Sequence, residues 1–295
     1  MTDRLLVCTD LDRTLIANGP EPESIGARAR FDTLVARPEV RLAYVSGRHR
    51  KLINLAMRTY RLPQPDFVVA NVGTTIYEVG AHKRWRRFGD WEADIARDWR
   101  EKSRQDLMEL LRGIPKLQPQ ERSRQNRLKL SYYLPIKMDR PEMAKRIEKR
   151  LESAGVNARL IWSIDDPAGV GLLDILPARA SKLHALEYLM QARGFDFSNT
   201  LFCGDSGNDL EVLISPIPSV LVANASPEIK RQARELAELN GHGSDLYIAT
   251  GGLFGMNGHY SAGILEGIAH YHPHTLEWMT LPDSQQPGSV TERSE

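Results

Sequence analysis

The sequence predicts an α/β protein: a doubly wound, parallel sheet carrying an inserted α+β cap. Three observations carry that expectation. Short apolar runs of β-formers at Leu5–Cys8, Val40–Val45, Phe67–Ala70, Thr200–Cys203 and Ser219–Val222 read as strands buried on both faces. Amphipathic stretches of helical length separate them, so strand and helix alternate. The alternation breaks near His82, where charged, tryptophan-bearing sequence begins, and resumes near Ser181.

In chain order, LLVC leads straight into Asp10-Leu11-Asp12-Arg13-Thr14, and the polar NGPEPES loop follows. Ile25–Leu34 reads as a helix. Val40–Val45 ends in Ser46-Gly47-Arg48 and hands over to a helix from about His49 to Tyr60. Phe67–Ala70 continues into NVGTTIY, a turn and short hairpin. The inserted block opens with a charged helical stretch holding Trp85, Trp91 and Trp99. Arg127–Leu134 alternates like a half-exposed strand. Arg140–Ala154 is a helix with Pro141 in its first turn and Gly155 just past its end. Asn157–Ser163 and Gly171–Leu176 are strands. Ser181-Lys182 then opens a helix through Ala192, and Thr200–Cys203 ends in Gly204-Asp205-Ser206-Gly207-Asn208-Asp209. Helices at Glu211–Ile214, Glu228–Leu239 and Ser261–Tyr271 close the pattern. The expected division is a core of 1–80 and 174–275, a cap of 81–173 and a polar, disordered tail of 276–295.

The 295 residues carry 39 basic and 38 acidic side chains, a net charge of +1, which gives no reason to expect nucleic acid or a membrane surface as partner. No apolar run is long enough to span a bilayer, and MTDRLLVCTD lacks the pattern of a signal peptide. Cys8 and Cys203 read as small packed hydrophobes in a reducing compartment. The expectation is a cytoplasmic monomer.

Asp10 and Asp12 lie two apart in an extended segment and share a face, where they repel unless a cation or a proton sits between them. Singly, each motif has a bland reading. Paired acids are often solvated loop residues, Ser46 would suit a helix N-cap, and Asp209 would suit a helix first turn. Lys182 at a helix start is where the dipole disfavours a cation, so its placement implies a use. Together, Asp10, Asp12, Ser46, Lys182, Asp205 and Asp209 occupy strand and helix ends that converge on one crevice of a doubly wound sheet. Such oxygen ligands suit Mg²⁺, and a magnesium ion with a lysine and a hydroxyl makes a phosphate-binding set.

The ordered motifs DLDRT, VSGR, SK and GDSGND resemble those of the haloacid-dehalogenase superfamily of phosphatases, with the α/β cap of the Cof-like subfamily inserted after the second motif. The resemblance implies that Asp10 is a nucleophile that becomes an aspartyl-phosphate and that Asp12 is the acid and then the base. It implies that Ser46 and Lys182 hold the phosphoryl oxygens. Mg²⁺ would be bound by Asp10, the backbone carbonyl of Asp12, Asp205 and Asp209, with Asn208 orienting the site and Gly47 and Arg48 touching substrate.

RQNRLKLSYYL, LFCGDSGNDL, VANASPE, SAGILEGIAHY and NVGTTIY are similar to stretches of sucrose-6-phosphate phosphatases. That closer resemblance implies that Gln125, Asn126 and Lys129 of the cap bind the sugar, and that the substrate is sucrose 6-phosphate. Arg13 and Leu15 stand where those enzymes usually have asparagine and tryptophan. Arg13 either faces solvent or helps hold an anionic substrate. Mannosylfructose-phosphate phosphatases share much of the cap pattern. The rival readings are therefore a phosphatase for mannosylfructose phosphate, a glucosylglycerol-type phosphate or a hexose phosphate, a non-catalytic sugar-phosphate-binding partner of a synthase, and a receiver-like signalling domain. A pure binding module has no need of both Asp10 and Asp12. A cap on linkers near Gly80 and near Ala168-Gly169 would hinge shut over the substrate.

Overall fold

The computed structural model describes residues 4–80, 84–165 and 169–281. The chain runs β1 (Leu5–Thr9), α1 (Ala27–Val35), β2 (Val40–Val45), α2 (Arg50–Thr59), β3 (Phe67–Ala70), β4 (Thr75–Gly80) and β5 (Arg84–Arg87). It continues with α3 (Gly89–Ala96), α4 (Arg104–Leu110), β6 (Gln118–Pro119), β7 (Leu130–Leu134), α5 (Arg140–Ser153), β8 (Ala158–Asp165) and β9 (Val170–Pro177). It closes with α6 (Lys182–Arg193), β10 (Thr200–Gly204), α7 (Leu210–Leu213), β11 (Ser219–Leu221), α8 (Pro227–Leu239), β12 (Leu246–Ile248) and α9 (Ser261–Tyr271).

Eight strands form one sheet in the order β12-β11-β10-β1-β2-β3-β4-β5. From β12 to β3 every neighbouring pair is parallel, while β3–β4 and β4–β5 are antiparallel. The order winds outward from β1 in both directions, so the switch point lies between β1 and β10. Each residue of β1 is buried, and alternation sends Leu5 and Val7 to one face and Leu6 and Cys8 to the other. Phe31, Ile53 and Ile264 cover the first face, from α1, α2 and α9; Leu186, Leu213 and Ala233 cover the second, from α6, α7 and α8. The doubly wound expectation holds.

The inserted cap is a four-stranded sheet, β6-β7-β9-β8, antiparallel throughout. Trp91, Trp99, Leu107, Ile147 and Leu151 from its helices pack into the cluster that includes Leu186 of the core. The Trp91 indole N–H also donates to the carbonyl of Gly73 in the core at 2.9 Å. Cap and core thus share one apolar interior.

Four expectations change. Arg84–Arg87 is not helical: it is a strand of the first sheet, and Trp85 stacks edge-on against Tyr77 with centroids 5.2 Å apart. The strand expected at Gly171–Leu176 runs from Val170 to Pro177, pairing with β8 along its full length, and so carries the second sheet past residue 173. The run from Arg127 is a strand only from Leu130, since Asn126 and Lys129 bridge a tight turn. The tail does not loosen at 276: Pro273–Met279 is a 3-10 helix, Met279 and Leu281 are buried, and Arg30 donates to the Met279 carbonyl at 2.9 Å. The tail from 282 on, and Ala168 of the expected hinge, lie outside the described residues. Cys8 and Cys203 are free thiols buried on adjacent strands, as expected of packed hydrophobes. Among the described residues no helix is long and apolar enough to cross a membrane.

Candidate active site

Asp10 follows β1 and is still tied to the sheet by its N–H, which donates to the Cys203 carbonyl at 2.9 Å. The chain then folds tightly: the Leu11 carbonyl accepts from the N–H groups of Thr14, Leu15 and Ile16. This turn buries Asp10 and swings Asp12 outward. Ser46 directly follows β2, buried, and its hydroxyl accepts the Arg48 N–H at 3.3 Å. It is not a helix cap, because α2 starts only at Arg50 with His49 before it.

The turn after β3 carries three consecutive left-handed residues, Asn71, Val72 and Gly73, at φ of 54°, 60° and 90°. A β-carbon on Gly73 would lie 2.2 Å from the Ser181 carbonyl oxygen, so glycine is required there. The close approach seats the start of α6 against the site. Ser181 caps α6 by accepting the His184 N–H, and Lys182 points into the crevice. Its Nζ lies 2.7 Å from Asp209 Oδ1, 2.9 Å from Asn208 Oδ1 and 3.3 Å from Asp10 Oδ1. Burial alone would lower the lysine pKa, but the two carboxylates outweigh it and hold the ammonium charged.

Asp205 ends β10. Its Oδ1 accepts the Thr14 hydroxyl at 3.2 Å and its Oδ2 faces Arg13 Nε at 3.5 Å. One oxygen each from Asp10, Asp205 and Asp209 lies within 4.8 Å of the others, all three residues buried. Burial, then the neighbouring carboxylates, push Asp10 up to about 8 against the pull of Lys182, and burial with Asp209 pushes Asp205 up to about 6. A divalent cation would reverse that push, so this donor set fits one. Asp209 has the least capacity left for it: Lys182 takes one oxygen, and the N–H groups of Asp205 and Ser206 take the other. Asp209 holds Lys182 and the loop. A β-carbon on Gly204 would lie 2.6 Å from its carboxyl carbon.

Asp12 stands apart from this trio. Arg48 clasps it with two bonds, Nε to Oδ2 at 2.7 Å and Nη2 to Oδ1 at 2.5 Å, and the Asn18 amide donates to Oδ1 at 2.8 Å. Arg48, expected to touch substrate, is thus bound to the expected acid. Gly47 is exposed beside Val72. The cap residues expected to bind sugar are committed elsewhere. The Gln125 amide donates to the carbonyls of Gln120 and Ser131, and its oxygen accepts the Ser131 N–H. Asn126 bonds the Leu128 N–H and donates across to the Thr74 hydroxyl of the core at 3.0 Å. Lys129 pairs with Asp174 at 2.8 Å.

Sequence reasoning gave Thr14, Asn18, Asp174, Arg159 and Glu211 no role. Thr14 sat inside a motif already noted; the others are distant partners with no local signal. Arg159 of β8 reaches Glu211 of α7 at 3.0 Å, joining cap to core. Between them lies a cavity of about 310 Å³ lined in part by Val72, Trp162, Lys182 and Asn208.

Residues 3–272 match the model of the sucrose-6F-phosphate phosphohydrolase family. The chain belongs to that family. Its members are phosphatases of the haloacid-dehalogenase superfamily, hydrolases of phosphoric monoesters. A HAD-like hydrolase of Nitrosococcus oceani is 48% identical over 279 residues, 95% of this chain and 75% of that one. Sucrose-phosphatase 1 of Nicotiana tabacum is 32% identical over 234 residues, 77% of this chain. The chain spans only about half the length of that tobacco relative, 52%. The sucrose-phosphatase of Synechocystis sp. PCC6803, solved in complex with sucrose and phosphate, superposes with a TM-score of 0.70 at 27% identity, covering 91% of this chain and 98% of that one.

Proposed function

We propose that this protein is a Mg²⁺-dependent cytoplasmic phosphatase that hydrolyses a disaccharide monophosphate, sucrose 6-phosphate above others. The observation that carries the reading is the buried Asp10 carboxylate, set against Lys182 and backed by Asp205 and Asp209. Membership of the family and the resemblance to the Synechocystis enzyme support the sugar.

In this reading an Asp10 oxygen bonds to phosphorus as the phosphorus–sugar oxygen bond breaks, and Asp12 gives its proton to the departing alkoxide. Asp12 then takes a proton from the water that attacks the aspartyl-phosphate, releasing phosphate and restoring Asp10. Lys182 and the Ser46 hydroxyl offset charge on the phosphoryl oxygens. Asp10 and Asp205 would hold Mg²⁺, which when bound would supply electrophilic stabilisation of the same oxygens. The Arg48 clasp occupies both oxygens of Asp12, so it must loosen at one of them before Asp12 can reach the leaving oxygen. The cavity beside Lys182 is where the sugar ring would lie, against Trp162.

The test is phosphate release from sucrose 6-phosphate, mannosylfructose phosphate, glucose 6-phosphate and fructose 6-phosphate, with magnesium and then with EDTA. Strong magnesium-dependent preference for sucrose 6-phosphate is expected. Broad weak release would keep the chemistry and remove the sugar assignment; no release from any would favour a non-catalytic sugar-phosphate-binding role.

A further inference from the structure

Arg13 adopts a left-handed backbone, φ 57°, and the surroundings fix it there. Its N–H donates to Asn18 Oδ1 at 2.8 Å, and its carbonyl accepts the Asn224 amide at 2.6 Å. The same buried Asn224 accepts the N–H of Tyr260, a second left-handed residue at φ 52°. The Arg13 guanidinium meets Asp205 Oδ2 at 3.5 Å, the Asn224 carbonyl at 3.3 Å and Glu21 Oε1 at 3.7 Å. Glu21 is held in turn by the Tyr260 hydroxyl at 3.1 Å. A β-carbon on Gly19 would stand 2.9 Å from Glu21 Oε2 and 3.5 Å from the Arg13 guanidinium carbon, so Gly19 leaves room for this pairing. Two non-glycine residues at positive φ bridged by one buried amide are strained. Such outliers persist where the surroundings over-determine them. The net product of this one is a cation held on the outer oxygen of Asp205.

We propose that Arg13 is a built-in counter-ion of Asp205 that weakens divalent-cation binding at the Asp10–Asp205 site. The inference rests on the metal site of the proposed function, and it concerns a positioning residue, not a reacting one. Once all three carboxylates are ionised, as cation binding requires, Asp10, Asp205 and Asp209 facing Lys182 alone leave the buried crevice with two more negative than positive charges. Arg13 halves that excess, and it opposes an incoming cation from a few ångströms away. Because the guanidinium is 42% exposed, solvent and salt screen much of the opposition.

The experiment is calorimetric titration of Mg²⁺ into metal-stripped protein without substrate, for wild type, Arg13→Asn and Arg13→Lys, with circular dichroism as the check on folding. Asparagine tolerates the left-handed backbone, so the first variant keeps the turn. Arg13→Asn should bind Mg²⁺ roughly tenfold more tightly, and Arg13→Lys should stay within about threefold of wild type. Unchanged or weaker binding in Arg13→Asn overturns the proposal. Equal tightening in both variants also overturns it, by assigning the effect to the lost guanidinium contacts instead of charge. Wild-type phosphate release, assayed separately, reports on the proposed function alone.

Discussion

The crevice of the core and the facing surface of the cap are built on opposite principles. In the core, Asp10, Lys182, Asp205 and Asp209 come from separate strand and helix ends, and they bring their functional atoms together in one buried crevice. In the cap, Gln125, Asn126 and Lys129 are neighbours in sequence, yet they spend their polar atoms on one another's surroundings: backbone groups, Thr74 and Asp174. The core holds its side chains in tension, with carboxylates pushed toward protonation by burial. The cap is electrostatically satisfied. The difference teaches that the like charges forced together lie in the core, while the polar groups of the cap are already partnered.

The most damaging change to the core should be Asp10→Asn. Loss of phosphate release by at least about 10³-fold is expected, with an unchanged far-ultraviolet spectrum. Measurable turnover near wild type would remove Asp10 as nucleophile. Next comes the clasp. Arg48→Ala should lower kcat on a sugar phosphate by roughly 10²-fold while leaving an aryl phosphate, whose leaving group needs no proton, much less affected. Equal losses on the two substrates would mean Arg48 acts on the phosphate and not through Asp12.

On the cap side, Lys129→Ala breaks a mostly buried pair and should cost about 3 kcal/mol of stability by urea unfolding. It should also raise KM for a disaccharide phosphate more than for an aryl phosphate. Stability lost with equal KM effects would make Lys129 purely structural. Without metal, the core should also show its tension in pH. Asp10 and Asp205 bind protons more tightly folded, at about 8 and about 6, than unfolded, near 4. The native state then carries more protons than the unfolded one between about pH 4 and 8, so stability in EDTA should fall as pH rises through that window. Magnesium should flatten the slope. The smallest effect should be Arg159→Ala, since the pair with Glu211 is partly exposed: about 0.5 kcal/mol by thermal melts.

How much of this was legible in the sequence differs between the same two regions. Strand ends are marked by apolar runs that stop at acids or hydroxyls, so Asp10, Ser46 and Asp205 could be placed before any coordinates. Lys182 was legible because a cation at a helix start is out of character. The commitments of Asp12 to Arg48 and of Lys129 to Asp174 were not, because they join residues 36 and 45 apart with no periodic signal. Arg84–Arg87 reads as charged helix from composition, yet its pairing with β4 makes it strand. The polar look of the chain after Tyr271 hid Met279 and Leu281, which the core claims.

The most direct test of the account is to trap the covalent step. Protein mixed with sucrose 6-phosphate and magnesium would be quenched in acid within one turnover, reduced with borohydride and digested, and the N-terminal peptide weighed. Homoserine is expected in place of aspartate at Asp10, the product of reducing an aspartyl-phosphate. Unmodified Asp10 in a sample that has released phosphate from the sugar would contradict it.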